Sequence, residues 1–482
     1  LKRIVLALLF LTALTAFVHA GSFALFQVSG PTSSGCSLPS GVTLTAIDGE
    51  TMSSPCVMTN SYYANNGFTY AHTLNWDSPS FFPIGPWLAP LAATSDATRW
   101  ATLGWNTAFV PNGSSVQSVA VNAGISVIMS VQEGLNWTPG NETVGLETYD
   151  EPSTYAQGVS TPISGTANTT QDHRFWWLNN TWNFIAFGGL SGAPAPGTSA
   201  AVLYSTVATP NSTTRHIDIG TIDWYPFSGS TSGPVGGGTG PQGATMYNVA
   251  GTSDQFRRGF IYGDIIDSQR AFQAGHFPAP ICSFIENGGP YNQDTTAASY
   301  IQPPELNWAV WQTIIHGTRC IMYFNNSFAG PAVSDDNMNT TYYQTAANYP
   351  AGISMYQQTI NTDTQVASFA SVINSPFATG YVSVSPASGE IQPLPPASSG
   401  TAAFAGIDVM AKYSSGAFYI FASTRLSETV TNQSATFTLP SGTTGSVAVC
   451  GESRSISISA NAFTDTFANA WTVHIYEVNG SC

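Results

Sequence analysis

Three acids fall within five residues in Glu147-Thr148-Tyr149-Asp150-Glu151, in a chain where only 8% of residues are charged. The residues just before, Val144-Gly145-Leu146, are apolar or small, and Pro152 follows the cluster at once. A strand sends alternate side chains to opposite faces, so Glu147, Tyr149 and Glu151 can share one face until the proline bars further pairing. A second carboxylate, Glu286 in Phe284-Ile285-Glu286-Asn287-Gly288, closes another apolar run. Two carboxylates brought together by strand ends are the apparatus of glycosidic bond cleavage. One is protonated and helps the leaving oxygen depart; the other is ionised and attacks or supports the anomeric carbon. The plainer reading of the first cluster, a polar strand end in which Asp150 caps a following helix, stays open beside the catalytic one.

The elements that would position these groups are short apolar runs separated by longer segments, the rhythm of repeated β-α units. Eight runs read as strands: Phe81–Trp87, Leu103–Val110, Ile125–Val131, Val144–Tyr149, Phe184–Gly188, Ile217–Tyr225, Pro280–Glu286 and Thr318–Phe324. Their cores are continuously apolar rather than alternating, as parallel strands covered by helices should be. Helices are predicted at Phe256–Ala274 and Leu306–His316, and a glycine-rich loop at Ser228–Gly243. In an eight-stranded parallel barrel the catalytic groups sit at the C-terminal ends of the strands. Strands four and seven lie across that mouth, so Glu151 and Glu286 can face each other over a substrate.

After a helical stretch near Tyr342–Phe369 the period changes. Alternating strands with turn signals follow at Asp408–Tyr413, Ala417–Ser423, Ser434–Leu439, Ser446–Val449, Ser455–Ile458 and Trp471–Val478. These suggest an antiparallel β-sandwich. The expected fold class is therefore α/β, a (β/α)8 barrel with a C-terminal β-sandwich. The expected division is a signal peptide over residues 1–20, an irregular or short-stranded segment over 21–70, the barrel over 71–376 and the sandwich over 377–482.

Composition bounds the partners. Lys2 and Arg3, the apolar run Ile4 to Phe17 and the small-residue site Val18-His19-Ala20 read as a secretory signal, so export is expected. Net charge is −15, with 12 basic against 27 acidic residues, which makes nucleic acid an unsuitable partner. No later stretch is long and apolar enough to span a bilayer. Six cysteines in an exported chain suggest three disulfides. Sequence position favours Cys36 with Cys56 and Cys450 with Cys482, leaving Cys282 and Cys320 either bonded or as buried thiols. Neither a CxxC motif nor clustered His and Cys points to a metal site, and no nucleotide loop or other cofactor motif occurs. Ten Asn-X-Ser/Thr sequons occur, including Asn112, Asn136, Asn141, Asn168, Asn211 and Asn432.

With these residues in view, the chain resembles the clan A retaining glycoside hydrolases over about residues 75–340. In that clan the acid/base closes strand four, often as Asn-Glu-Pro, and the nucleophile closes strand seven. The resemblance implies Glu151 as acid/base and Glu286 as nucleophile, with Asp150 of Asp150-Glu151-Pro152 where Asn is common. It also implies that Tyr225, in Asp223-Trp224-Tyr225-Pro226, touches the nucleophile. Trp87, Trp105, Trp224 and Tyr323 are candidates for stacking on sugar faces, with core packing as the other reading. Asn106, Gln132 and Glu133 could bind hydroxyls, and Glu147 is a reserve acid. His72 and His173 fit a functional or a structural role equally well, and the pair Trp176-Trp177, in an otherwise helix-like stretch, reads as packing rather than binding. The function expected is cleavage of an extracellular poly- or oligosaccharide; a non-catalytic carbohydrate-binding or structural surface protein on the same scaffold is the alternative.

Overall fold

The structure is a computed structural model. It describes residues 37–46, 48–130, 139–150, 173–181, 218–223, 227, 262–263, 266, 279–288, 300–327, 332–386, 406–425 and 431–482. Its centre is β1 (Ile84–Trp87), α1 (Thr94–Leu103), β2 (Thr107–Phe109), α2 (Val116–Ala123), β3 (Ser126–Ser130), β4 (Thr143–Asp150), β5 (Phe175–Thr181), β6 (Ile219–Asp223), β7 (Cys282–Glu286), α3 (Pro303–Ile315), β8 (Cys320–Phe324) and α4 (Met355–Ser368). The eight strands pair in the order β7-β8-β1-β2-β3-β4-β5-β6, all parallel, and the bridge Gly220 to Ile281 closes β6 onto β7. The chain thus forms a (β/α)8 barrel.

Strand alternation divides the apolar residues into two bodies. Trp87, Phe109, Ile128, Trp177, Phe284 and Phe324 pack together inside the ring. Ile84, Ala108, Val127, Ile285, Ile321 and Tyr323 face outward and pack with residues of the surrounding helices. Both faces being covered explains why the strands read as unbroken apolar runs.

The fifth strand differs from expectation. It is Phe175–Thr181, whereas Phe184–Gly188 lies outside the described residues. Both faces of this strand are buried at Trp176-Trp177: Trp177 joins the interior, where its ring lies 5.2 Å from Phe109.

The segment before the barrel is also more ordered than its composition suggests. Two short helices, Tyr62–Asn65 and Thr69–Thr73, carry Tyr62, Phe68 and Trp76 into the interior cluster. The Tyr62 hydroxyl donates to Asp218 O at 2.8 Å, and Trp76 Nε1 donates to Ser126 Oγ at 3.0 Å. Asp218 and Ser126 lie at the starts of β6 and β3, so this segment packs at the N-terminal end of the barrel.

The C-terminal region comprises β9 (Phe377–Thr379), β10 (Ser383–Ser385), β11 (Ile407–Ser414), β12 (Ala417–Thr424), β13 (Gln433–Thr438), β14 (Ser446–Val449), β15 (Arg454–Ser457), β16 (Ala462–Phe467) and β17 (Val473–Val478). One sheet runs Thr43–Thr45, β9, β11, β12, β17, β14, β15; the other runs β10, β13, β16. They form an antiparallel β-sandwich around a core that includes Ile407, Ile420, Phe437, Phe463 and Tyr476. Thr43–Thr45, expected in a separate leading segment, is an edge strand of this sandwich paired with β9.

Helix α3 joins the two bodies. Trp308 Nε1 and Gln312 Nε2 each donate to Thr424 O at 3.0 Å, and Trp311 stacks on Phe421 at 5.7 Å. Among the described residues, no helix is long and apolar enough to cross a membrane.

Disulfides close Cys282 to Cys320 and Cys450 to Cys482. The first links the opening residues of β7 and β8, which are register partners. Cys56 is also disulfide-bonded, and its expected partner Cys36 lies outside the described residues. Because Cys450–Cys482 ties the terminal residue to the end of β14, Cys482→Ser should lower stability by about 2–4 kcal/mol. Denaturant unfolding under non-reducing conditions checks this, and an unchanged midpoint would show that the tail adds no constraint.

Candidate active site

Glu286 is the last residue of β7 and alternates into the barrel with Cys282 and Phe284. It is 1% exposed. Its Oε1 accepts a hydrogen bond from the Phe227 amide at 2.6 Å and from the Tyr262 hydroxyl at 3.2 Å. The Glu286 amide in turn donates to Tyr262 Oη at 3.3 Å. Tyr262 therefore holds both the backbone and the carboxylate of the same residue. Two donors converging on one carboxylate oxygen make charge-assisted bonds and fix its orientation.

Register extends this layer around the rim. Glu286 pairs with Phe324, and Phe324 pairs with Trp87. Trp87 packs on Phe324 and Phe284 with ring centroids 5.7 Å apart in each case. The structure thus brings Trp87 into the layer of Glu286, as an inward ring among aromatic neighbours.

β4 ends at Asp150 and runs parallel to β7, so the two strands finish at the same rim. Glu147, opposite Ser130 and Trp177, points inward below that rim and is 1% exposed. Glu151, the next residue after β4, lies outside the described residues, as do Gln132, Glu133, Trp224 and Tyr225. Among the described residues a different tyrosine, Tyr262, touches Glu286.

Three candidates belong elsewhere. Tyr323 occupies an outward position of β8, where its hydroxyl donates to Asp363 Oδ1 of α4 at 2.6 Å. Trp105 Nε1 donates to Asp363 Oδ2 at 3.1 Å, and the Trp105 and Tyr323 rings lie 6.0 Å apart. Both are buried in the layer between the barrel wall and α4, not at its mouth. Trp105 and Asn106 also come before β2, which starts at Thr107, so they lie at the opposite end from Glu286. Asn106 fastens strand starts there: Oδ1 accepts from the Ile84 amide at 3.0 Å and Nδ2 donates to Phe82 O at 2.9 Å. None of the three is placed to touch a substrate held at Glu286.

His72 pairs with Asp77 at 2.9 Å, and His173 Nδ1 lies 3.2 Å from Gly67 O. Among the described residues, no cluster of His, Cys, Asp or Glu could hold a metal ion. Tyr262 and the Phe227 amide were missed by sequence reasoning. Tyr262 sat inside a predicted helix with no local signal to set it apart, and a backbone amide has no residue type to recognise.

No protein-family model and no curated protein matches the chain. Solved structures similar to it include an alpha-amylase from Geobacillus thermoleovorans complexed with acarbose, at 9% identity, covering 80% of this chain and 90% of that one, TM-score 0.43. A noncanonic maltogenic alpha-amylase from Thermotoga neapolitana is 8% identical, covering 83% and 99%, TM-score 0.41. A protein described as a glycoside hydrolase is 11% identical, covering 82% and 92%, TM-score 0.44. At such identities and scores no residue role passes from these proteins to this chain, and the fold assignment stands on the sheet topology itself.

The Asp363 contacts have a consequence for pH. Burial pushes its carboxyl well above the ordinary range, opposed by the Tyr323 and Trp105 hydrogen bonds. A carboxyl whose folded value is raised contributes stability that is full below its unfolded value, about 3.9, and is lost as pH rises toward the folded value. Asp363→Asn does not titrate, so the melting temperature of the wild type minus that of the variant should shrink as pH rises above about 4. A gap that stays constant as pH rises would show that Asp363 titrates alike in the folded and unfolded chain.

Proposed function

We propose that the chain is an exported glycoside hydrolase that cleaves a poly- or oligosaccharide with retention of configuration. The observation that carries this reading is Glu286: an inward carboxylate at the C-terminal end of a barrel strand, held by the Phe227 amide and the Tyr262 hydroxyl. Its layer also contains the inward ring of Trp87, a surface on which a sugar face can pack.

Glu286 attacks the anomeric carbon while Glu151, following the strand end at Asp150, protonates the leaving oxygen. For retention the two carboxyls stand about 5–5.5 Å apart. Formation of the glycosyl-enzyme ester removes the charge from Glu286, and Glu151 then serves as the base that activates water. Asp150 accepts a hydrogen bond from the hydroxyl beside the anomeric carbon, while Trp224, Tyr225 and Gln132 complete the sugar contacts. Buried Glu147, on the interior face of β4, supports Glu151.

Glu286→Ala should abolish turnover of every substrate. Glu151→Ala should suffer most with poor leaving groups and be partly rescued by azide, giving a glycosyl azide of retained configuration. First-formed product of inverted configuration, followed by NMR, would reject the double displacement. Tyr262→Phe removes one charge-assisted bond to the nucleophile and should cut kcat about tenfold or more while KM changes little. Undiminished kcat in that variant would deny Tyr262 its positioning role.

A further inference from the structure

Beyond Glu286 the chain ends of β7 and β8 build a second polar cluster that the mechanism above leaves unused. Asn287, Asn325 and Asn337 are 0% exposed and Asn326 is 3% exposed. Their backbones are tied together: the Asn287 amide donates to Phe324 O at 3.1 Å, and the Asn337 amide donates to Asn325 O at 3.0 Å. Gly288 lies against the same patch. A Cβ there would meet Asn337 Nδ2 at 2.1 Å and Asn326 O at 2.8 Å, so only glycine lets the strand end approach this closely.

Six side-chain atoms of this cluster have no hydrogen-bond partner among the described residues: Nδ2 and Oδ1 of Asn287, Nδ2 and Oδ1 of Asn337, and Oδ1 of Asn325 and Asn326. A buried polar atom left unsatisfied loses its bonds to water with nothing in exchange, so six in one place are not a packing detail. Asp336, the acid bonded to the cluster, is already engaged by the Arg99 guanidinium and by Asn325 Nδ2 at 2.7 Å.

The chemistry of the unused atoms selects the ligand. A hard cation would satisfy the four carbonyl oxygens but would face the Nδ2 donors of Asn287 and Asn337 with like polarity. A hydroxyl both donates and accepts, and so matches carboxamides that offer both. We propose that Asn287, Asn325, Asn326 and Asn337 form a binding site for the hydroxyl groups of a neutral sugar, at the β7–β8 side of the rim and one residue from Glu286. The inference deepens the hydrolase reading and rests on it for calling that sugar a substrate. Because the four residues are so fully buried, entry requires local opening and association should be slow.

The test is calorimetric titration of Glu286→Gln protein with cello-, xylo- and malto-oligosaccharides, alone and combined with Asn287→Ala, Asn337→Ala or the milder Asn326→Ala. Melting temperature and circular dichroism confirm folding, and Asn326→Ala keeps the test valid if a more central change unfolds the chain. Each folded Asn variant should bind the preferred sugar roughly tenfold more weakly or worse. Unchanged affinity in the folded variants, or no binding of any of these sugars by Glu286→Gln, would overturn the site. Saturable calcium binding that Asn337→Ala removes would overturn the choice of a neutral ligand. Wild-type turnover is measured separately. Asn-dependent binding without hydrolysis would sink the hydrolase reading and leave the sugar site standing, whereas hydrolysis with Asn-independent binding would sink the site alone.

Discussion

A closed ring of parallel strands imposes two constraints on which everything else depends. All strand ends of one kind meet at one rim, and every second side chain of every strand points inward. The bridge from Gly220 to Ile281 completes that ring in this chain. Once it closes, Glu286 at the end of β7 and Asp150 at the end of β4 share a rim although 136 positions of sequence, 286 minus 150, separate them. The same closure decides that Phe324 faces in and Tyr323 faces out, one residue apart.

The rest of the structure supports the ring from outside and below. The leading segment sets Tyr62, Phe68 and Trp76 against the interior at the N-terminal end, where bonds to Asp218 and Ser126 pin it. Helix α3 presses its outer face on the sandwich through Trp308, Trp311 and Gln312. A buried ion pair of Arg319, just before β8, with Glu50 adds a link from the barrel to the leading segment.

That rim is costly to build. A carboxylate at 1% exposure must be held by donors, and Glu286 takes them from a backbone amide and a tyrosine that lie far from it in sequence. The asparagines beside it keep several carboxamide atoms without partners among the described residues. Both features burden folding locally and are offset by the large apolar bodies on either side of the barrel wall. Sites where local rules are broken in this way are where binding and chemistry are expected.

The amino-acid sequence by itself determined the periods: continuous apolar runs for buried parallel strands, alternation for the sandwich, and a carboxylate closing the seventh run. Those signals are local, so Pro280–Glu286 and Ser446–Val449 could be read as strands directly. The fifth strand escaped because Phe175-Trp176-Trp177 is apolar on both faces and so carries no period that separates strand from helix. β16 escaped as well: in Ala462–Phe467 its alternation is carried by only two phenylalanines between polar residues. Only the tertiary structure decided which face each residue serves. Trp105, Asn106 and Tyr323 have the residue types of sugar contacts, yet strand start and strand parity send them to the base and the outer wall. Tyr262 has no distinguishing neighbours in sequence and becomes a partner of Glu286 only because separate parts of the ring converge there. Residue type states what a side chain can do; the closure of the barrel decides what it can reach.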